Sequence, residues 1–155
     1  YKCLMPTNTF GPNDHYNALN SHFLPALIKK VHDLKLNNKK ELTLWGNGLA
    51  KREVIYVDDI ADACIFFMKK NFLGTILNIG TGKDFSIKQY AKIILNKIIP
   101  KNKIKIRYDL SKPNGTPRKV LDIKLANKYG WKPKTKLDEA ITKTYKNFLE
   151  NNKIV

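Results

Sequence analysis

Apolar residues recur every three to four positions in several segments of the chain, and each such segment predicts an amphipathic helix. In the first, Ser21 stands at the N-cap position, and Pro25 falls in or near the first turn, where proline is tolerated. Asp58 or Asp59 is expected to cap the second helix. The remaining segments predict helices that begin at Ser86 and at Leu137, and a shorter helix that ends at Gly130.

Shorter apolar runs predict strands between these helices. They lie at 2–6, 41–45, 52–57, 74–80, 103–109 and 118–123. The polar stretches between them, above all 7–20 and 81–85, predict a long loop and a tight turn. Because strands and helices alternate, the predicted fold class is α/β. The first strand looks buried but has nothing before it to pair with, so we expect the chain to be part of a longer protein.

The charge of the chain points toward an anionic partner. Its 155 residues carry a formal net charge of +16, and 43% of them are hydrophobic, which is enough for one main core. Only Arg52, Arg107 and Arg118 are arginines; the other cations are lysines spread along the chain. Nucleic-acid recognition favours the planar arginine fork. A dedicated nucleic-acid-binding function is therefore not expected, whereas a nucleotide-phosphate pocket fits this charge.

No segment has the length of a membrane span, and the N-terminus lacks the pattern of a signal peptide. We therefore expect a soluble, cytoplasmic protein with no membrane partner. Cys3 and Cys64 lack the spacing of a redox pair and are expected to be buried thiols. Without a Cys/His cluster at ligand spacing, no metal site is predicted.

One loop combines stiffness with positive charge. Pro113 and Pro117 flank Gly115 in SKPNGTPRKVLD, so the loop should be rigid and sharply turned. The same loop contains Lys112, Arg118 and Lys119. A solvated turn explains such a loop, and so does a rigid support that holds cations against a bound diphosphate.

Several motifs occur in the order found in one enzyme family. They are MPTNTFGPND, NSHFLPALIKK, LWGNG, REVIYVDDIADA, LNIGTGKDFSI, SKPNGTPRK and GWKPKT. Together they resemble the C-terminal half of the GDP-L-fucose synthases, which are extended short-chain dehydrogenases/reductases. This resemblance implies that residues 1–155 form a C-terminal substrate-binding half. Its fold would be the C-terminal part of a Rossmann-type NAD(P)-binding fold plus the smaller nucleotide-sugar substrate domain.

The resemblance also shows which motifs the chain lacks. The glycine-rich GxxGxxG turn and the Tyr-x-x-x-Lys pair of the family do not occur, and the GTG at 80–82 cannot replace the former. The N-terminal cofactor-binding part is thus expected to be absent from this chain. We therefore expect NADP (NADPH) to be bound mainly by that part, and the chain alone to have no reductase activity.

The family reaction is the 3,5-epimerisation and NADPH-dependent 4-reduction of GDP-4-keto-6-deoxymannose. The resemblance implies a GDP-sugar as substrate and a homodimer for the intact enzyme. Two alternatives remain open. The first is another nucleotide-sugar epimerase or dehydratase, and the second is a non-catalytic, basic nucleic-acid-binding or interaction module.

The resemblance implies the family's acid/base role for His22, from the NSH motif. At the start of a helix, exposed amide N–H groups disfavour its protonated form and make it a readier acid; incidental packing against Tyr16 or Phe10 is the simpler alternative. Trp45 could stack on a base or sugar, or could be a core residue. The substrate residues implied are Lys30, Trp45, Arg52, Lys105, Lys112 and Lys119, and the cofactor residues are Pro6, Thr7, Asn8, Thr9 and His22. Asp58 and Asp59 are interpreted as a helix cap and a structural partner for a neighbouring loop.

Overall fold

A computed structural model describes residues 3–17, 21–71, 74, 76–101 and 103–151. The helices are α1 Phe23–Leu36, α2 Val57–Met68, α3 Ile87–Ile98, α4 Lys124–Lys128 and α5 Leu137–Asn151. The strands are β1 Cys3–Pro6, β2 Asn8–Phe10, β3 Glu41–Trp45, β4 Lys51–Tyr56, β5 Ile76–Ile79, β6 Asp84–Ser86, β7 Lys105–Asp109 and β8 Arg118–Lys119. The α/β prediction is confirmed; predictions that fall on residues 18–20 and 75 lie outside the described residues.

Most strand pairs of the described residues are parallel. β1 pairs with β5, and β3 pairs with β7, both in parallel. β4 is central to the remaining sheet, since it pairs in parallel with β2 and β8 and antiparallel with β6. The strands that lie beside β4 in space therefore come from several distant parts of the chain.

β4 also separates two hydrophobic clusters. Val54 and Tyr56 face a cluster formed with α1, α3, α5 and β3, whereas Ile55 faces a second cluster formed with α2, α4 and β5. The alternation along a strand sends neighbouring side chains to opposite faces, so one strand serves both cores. Trp131 lies fully within the second cluster and packs near Phe67.

The structure corrects two predicted helix starts. The N-cap of α1 is His22 rather than Ser21, whose backbone N–H donates to the Asn17 carbonyl at 3.0 Å. In α2 the N-cap is Tyr56, because β4 continues into the helix without a loop, and the carboxylates of Asp58 and Asp59 fall in the first turn. The predictions for the other long helices, α3 and α5, are confirmed.

The burial predicted for the two cysteines and for the first strand is wrong. Cys3 and Cys64 are both exposed. On β1 and β5, the face that carries Cys3, Met5 and Ile76 has no covering layer among the described residues, and Met5 is 51% and Ile76 59% exposed. Cys64 follows buried Ala63 on α2, and one residue further around a helix is a rotation of roughly 100°, which turns its thiol outward.

Three short strands also differ from the predictions. β2 lies inside the predicted loop 7–20, β6 begins inside the predicted turn 81–85, and only the first two residues of the predicted strand 118–123 are in β8. All three strands pair with β4, so their extended backbone depends on hydrogen bonds to a distant strand. Within the described ranges, no helix is long and apolar enough to cross a membrane.

Candidate active site

The first part of the candidate site is a pocket of about 300 Å³ between α1, the end of β3 and the loop after β7. We call it the Trp45 pocket; Lys30, Trp45, Arg52, Pro113 and Asn114 are among its lining residues. The Trp45 side chain is 56% exposed, so this residue does not belong to the core. The sequence resemblance had placed the first three of these residues on the substrate, and the structure brings them together.

Two ammonium groups flank the exposed indole. Lys30 Nζ lies 5.3 Å and Lys112 Nζ 5.7 Å from the centroid of the Trp45 ring. Both distances fall within the range of cation–π contacts. Burial lowers the pKa of the Lys30 ammonium, because the half-buried side chain loses hydration that favours its charge. The pocket therefore combines a flat aromatic surface with two nearby cations.

Local geometry turns Trp45 away from the core. In β3, alternate residues Leu42 and Leu44 are buried, and Trp45 follows on the other face. The chain then turns sharply at Gly46, whose φ of 63° is in the left-handed region. A Cβ at this position would lie 2.4 Å from Asn114 Oδ1, so the close approach of the two loops requires glycine here.

The loop that includes Lys112 is held in place by hydrogen bonds. Arg52 Nη1 donates to the carbonyl of Thr116 at 2.6 Å and to that of Lys51 at 2.7 Å. Asn114 Oδ1 accepts the backbone N–H of Asn47 at 2.7 Å. These bonds agree with the rigid loop that the prolines predict. Both hydrogen bonds of Arg52 use Nη1, so the other guanidinium nitrogens can donate to a ligand.

The second part of the site is a depression of about 430 Å³, which we call the His22 depression. One wall is the segment Pro6–Thr9, another is Lys119–Leu121, and His22 also lines the depression. The structure thus brings together His22 and every residue of the predicted cofactor segment. His22 is exposed, whereas Tyr16 packs on Phe148 and Phe10 packs on Tyr56.

Two predicted substrate residues do not lie in the Trp45 pocket. Lys119 lines the His22 depression instead. Lys105 pairs with Glu41 in the parallel register of β3 and β7, whereas Trp45 pairs with Asp109. Four residues of strand correspond to roughly 13 Å, so Lys105 is at the far end of this sheet from the indole. The substrate residues implied by the resemblance are therefore divided between two parts of the site, and Lys105 belongs to neither.

Glu53 is a residue at the site that the sequence-based analysis did not single out. Its side chain is fully buried, and its Oε1 accepts the backbone N–H groups of Thr81 at 2.5 Å and Gly82 at 2.6 Å. Its Oε2 accepts the N–H of Leu121 at 2.7 Å. An acidic residue between apolar neighbours in REVIYV was the available signal. Because the amides of the GTG turn already bind a carboxylate, this turn does not act as a phosphate loop.

Asp59 has the structural role that was predicted for one of the paired aspartates. Its side chain is buried, and Oδ1 accepts the backbone N–H of Lys134 at 3.0 Å and the Thr135 hydroxyl at 3.2 Å. It thereby holds the loop that leads into α5. Asp58 is exposed in the first turn of α2 and does not cap the helix. Within the described part of the chain, no group of three or more His, Cys, Asp or Glu is arranged to hold a metal ion.

Comparisons with known proteins agree with this architecture. Putative GDP-L-fucose synthase 2 of Arabidopsis thaliana is 42% identical over 147 residues, which cover 95% of this chain and 44% of that protein. Probable GDP-L-fucose synthase 1 of Oryza sativa subsp. japonica is 43% identical over 147 residues, with the same coverage of 95% and 44%. The chain spans about half the length of the curated relatives it matches.

A solved structure shares the fold. The GDP-L-fucose synthetase from Naegleria fowleri bound to NADP superposes with a TM-score of 0.85 at 25% identity, covering 99% of this chain and 48% of that chain. Residues 1–80, which are about half of the chain, match the sequence model of one protein family. The resemblance inferred from the motifs is confirmed, and the chain belongs to the NAD dependent epimerase/dehydratase family.

Proposed function

We propose that this chain is the substrate-binding part of a GDP-L-fucose synthase, which converts GDP-4-keto-6-deoxymannose to GDP-L-fucose. The observation that carries the proposal is the placement of Lys30, Trp45, Arg52 and Lys112 around one pocket. An indole provides a stacking surface for a base or a sugar, and the cations close to it suit a diphosphate. The names of the similar proteins support the same substrate class.

His22 is proposed as a general acid of the epimerisation. Inverting a carbon next to a ketone requires removal of a proton from one face and its return on the other face, so two groups are needed. His22 is exposed at the start of α1 and lies in a depression separate from the Trp45 pocket. An imidazolium at this position would return the proton to the carbon and be left neutral.

NADPH is the proposed reductant, and when bound it supplies the hydride for the ketone carbon. Pro6, Thr7, Asn8 and Thr9, with His22, would form the wall at its nicotinamide end. The depression of about 430 Å³ is large enough for a ring of that size. Since the GTG turn is engaged by Glu53, we place most of the cofactor-binding contacts outside this chain.

Calorimetric titration of the chain with GDP, and in parallel with NADPH, tests this assignment. GDP should bind and NADPH should not bind measurably. Trp45→Ala should weaken GDP binding roughly 5- to 160-fold, which corresponds to the loss of about 1–3 kcal/mol of base stacking. Lys105→Gln is the matched control, because Lys105 is exposed at the other end of β7 and its removal should leave the Kd unchanged. Equal loss in both variants, or no binding of GDP to the unsubstituted chain, would contradict the proposal.

The acid role of His22 requires an assay with the cofactor-binding half present. In an enzyme that combines this chain with such a half, His22→Gln should lower kcat by roughly 10² to 10⁴, the usual loss for a general acid. The exposed His15 provides the control, and His15→Gln should leave kcat intact. Oxidation of NADPH in the presence of the 4-keto-6-deoxy sugar distinguishes this enzyme from other nucleotide-sugar epimerases, which should not consume NADPH. Normal turnover by the His22 variant would rule out the assigned role.

A further inference from the structure

Glu53 connects both walls of the His22 depression. Its backbone carbonyl accepts the side-chain amide of Asn8 at 2.8 Å and the hydroxyl of Thr7 at 3.4 Å, both on the first wall. Its carboxylate accepts the backbone N–H of Leu121 at 2.7 Å, on the second wall. The residue that links the walls is therefore a single position of the central strand β4.

The Glu53 carboxylate is itself fixed by hydrogen bonds on both of its oxygens. The side chain is fully buried, and the N–H groups of Thr81 and Gly82 donate to Oε1 at 2.5 and 2.6 Å. The Thr81 hydroxyl adds a longer contact of 3.3 Å to the same oxygen. A buried carboxylate needs hydrogen-bond donors on both oxygens, and backbone N–H groups of two separate segments provide them here.

Neighbouring glycine completes the arrangement. A Cβ on Gly80 would lie 2.3 Å from Glu53 Oε1 and 3.0 Å from its Cδ, so any side chain at position 80 would displace the carboxylate. The distance is too short for the carboxylate to remain in place beside even a methyl group. Because Gly80 has no side chain, the Glu53 carboxylate has the space to reach the turn at 80–82.

From these contacts we propose that Glu53 is a positioning residue, which sets the distance of Lys119–Leu121 from Pro6–Thr9 in the depression that His22 also lines. This inference rests on the proposed function, since it assigns the depression to the reacting end of the substrate. Glu53 itself is fully buried and acts through the segments that it binds. Its effect should therefore be on the geometry of the reacting groups and not on the affinity of the Trp45 pocket.

Glu53→Gln separates the two sides of the carboxylate. Glutamine has one acceptor oxygen and one NH₂ donor group. The oxygen should face Thr81 and Gly82, which present two N–H groups, so that the NH₂ group is left against the N–H of Leu121. Two donors then oppose each other, and the wall at Leu121 should detach while the turn at 80–82 stays bound.

Amide hydrogen exchange of the whole chain, measured by NMR, tests this. In Glu53→Gln, exchange at Leu121 should accelerate by about tenfold or more, whereas exchange at Thr81 and Gly82 should change by less than about threefold. The exposed Glu41, paired with Arg107, provides a control in Glu41→Gln. Uniform acceleration of exchange at core amides such as Ile94 would overturn the proposal, since Glu53 would then affect only global stability. No change at Leu121 would also overturn it, since the carboxylate would then not hold the segment Lys119–Leu121.

A measurement without substitution covers the case of a variant that does not fold. In the unsubstituted chain, scalar coupling across the hydrogen bond between the Leu121 amide nitrogen and the Glu53 carboxyl carbon should be detectable, and its absence would refute the bond. In the enzyme with a cofactor-binding half, Glu53→Gln should lower kcat with little change in KM. If GDP does not bind the unsubstituted chain, the proposed function fails, while the exchange pattern still decides whether Glu53 holds both walls.

Discussion

Lys30 shows how a single side chain sets a measurable property of the site. Its ammonium is half-buried beside the indole of Trp45, and burial lowers its pKa below the ordinary value of 10.5. Below this lowered pKa the side chain is charged and attracts a diphosphate. Above it the side chain is neutral and the attraction is lost.

The affinity for GDP should therefore fall as the pH rises toward 10.5. The fall should begin at a lower pH than it would if Lys30 were fully exposed. The measurement is the Kd for GDP between pH 7 and pH 10, for the unsubstituted chain and for Lys30→Gln. The guanine base also ionises at high pH, so the difference between the two curves isolates Lys30. A constant difference over this range would contradict the pH dependence, and Lys105→Gln should follow the unsubstituted curve.

Residue types and motifs predicted part of the site from the sequence. Lys30, Trp45, Arg52 and Lys112 were assigned to the substrate, and all four lie at the Trp45 pocket or directly against its indole. Lys105 was grouped with them because alternation identifies the face of a strand but not which end of it lies near a neighbouring loop. That position depends on the register of β7 with β3, which a single sequence does not contain.

At the scale of elements, the start of helix α3 was specified by local chemistry. Ser86 Oγ accepts the N–H of Gln89 at 3.2 Å, and the Gln89 side chain accepts the N–H of Ser86 at 2.7 Å. This reciprocal pair is a capping box. Helices α1 and α2 lack a side-chain cap, which is why the residue types that favour capping misplaced their starts.

Ser86→Ala should lower the free energy of unfolding by about 1 kcal/mol, because an N–H at the start of α3 loses its acceptor. Chemical denaturation with urea measures this. Thr142→Ala is the control, since Thr142 lies exposed on α5 and its hydroxyl donates to the Asp138 carbonyl within the same helix. Equal stability of Ser86→Ala and the unsubstituted chain would show that the cap contributes nothing.

The strands that the sequence did not predict have a common physical origin. β2, β6 and β8 are three, three and two residues long, too short to show alternation. Each is extended because it bonds to β4, and such pairing depends on the tertiary fold. The periodic helices, by contrast, contain their own signal, since buried residues recur every three to four positions along α1 and α3.

At the scale of the whole molecule, the net charge of +16 must be reconciled with a pocket for one nucleotide. Several lysines are ion-paired on the surface, for example Lys97 with Asp138 and Lys143 with Glu139. Such exposed pairs contribute little to stability and leave a broad positive potential. This potential raises the local concentration of any anion, and in the Trp45 pocket two of the cations lie against one exposed indole.

Binding of GDP should therefore depend only weakly on salt. If the chain neutralised six phosphates of a nucleic acid, its affinity for that nucleic acid should fall by roughly 10³ between 50 and 200 mM salt. Its affinity for one diphosphate should fall far less. Titrations of GDP and of a short DNA duplex over this range distinguish a nucleotide pocket from a nucleic-acid-binding surface. Tight, steeply salt-dependent binding of the duplex together with no binding of GDP would favour the alternative of a nucleic-acid-binding module.

The close approach of Gly80 to Glu53 has a consequence for how this protein can change. A side chain at position 80 and a carboxylate at position 53 exclude each other, so position 80 cannot gain a side chain while the Glu53 carboxylate stays in place. In a library that randomises both positions, folded variants with Ala at 80 should be recovered only with a smaller residue at 53, and the unsatisfied N–H groups of Thr81 and Leu121 would then need water. The two positions thus form one epistatic unit, although they are 27 residues apart in the sequence.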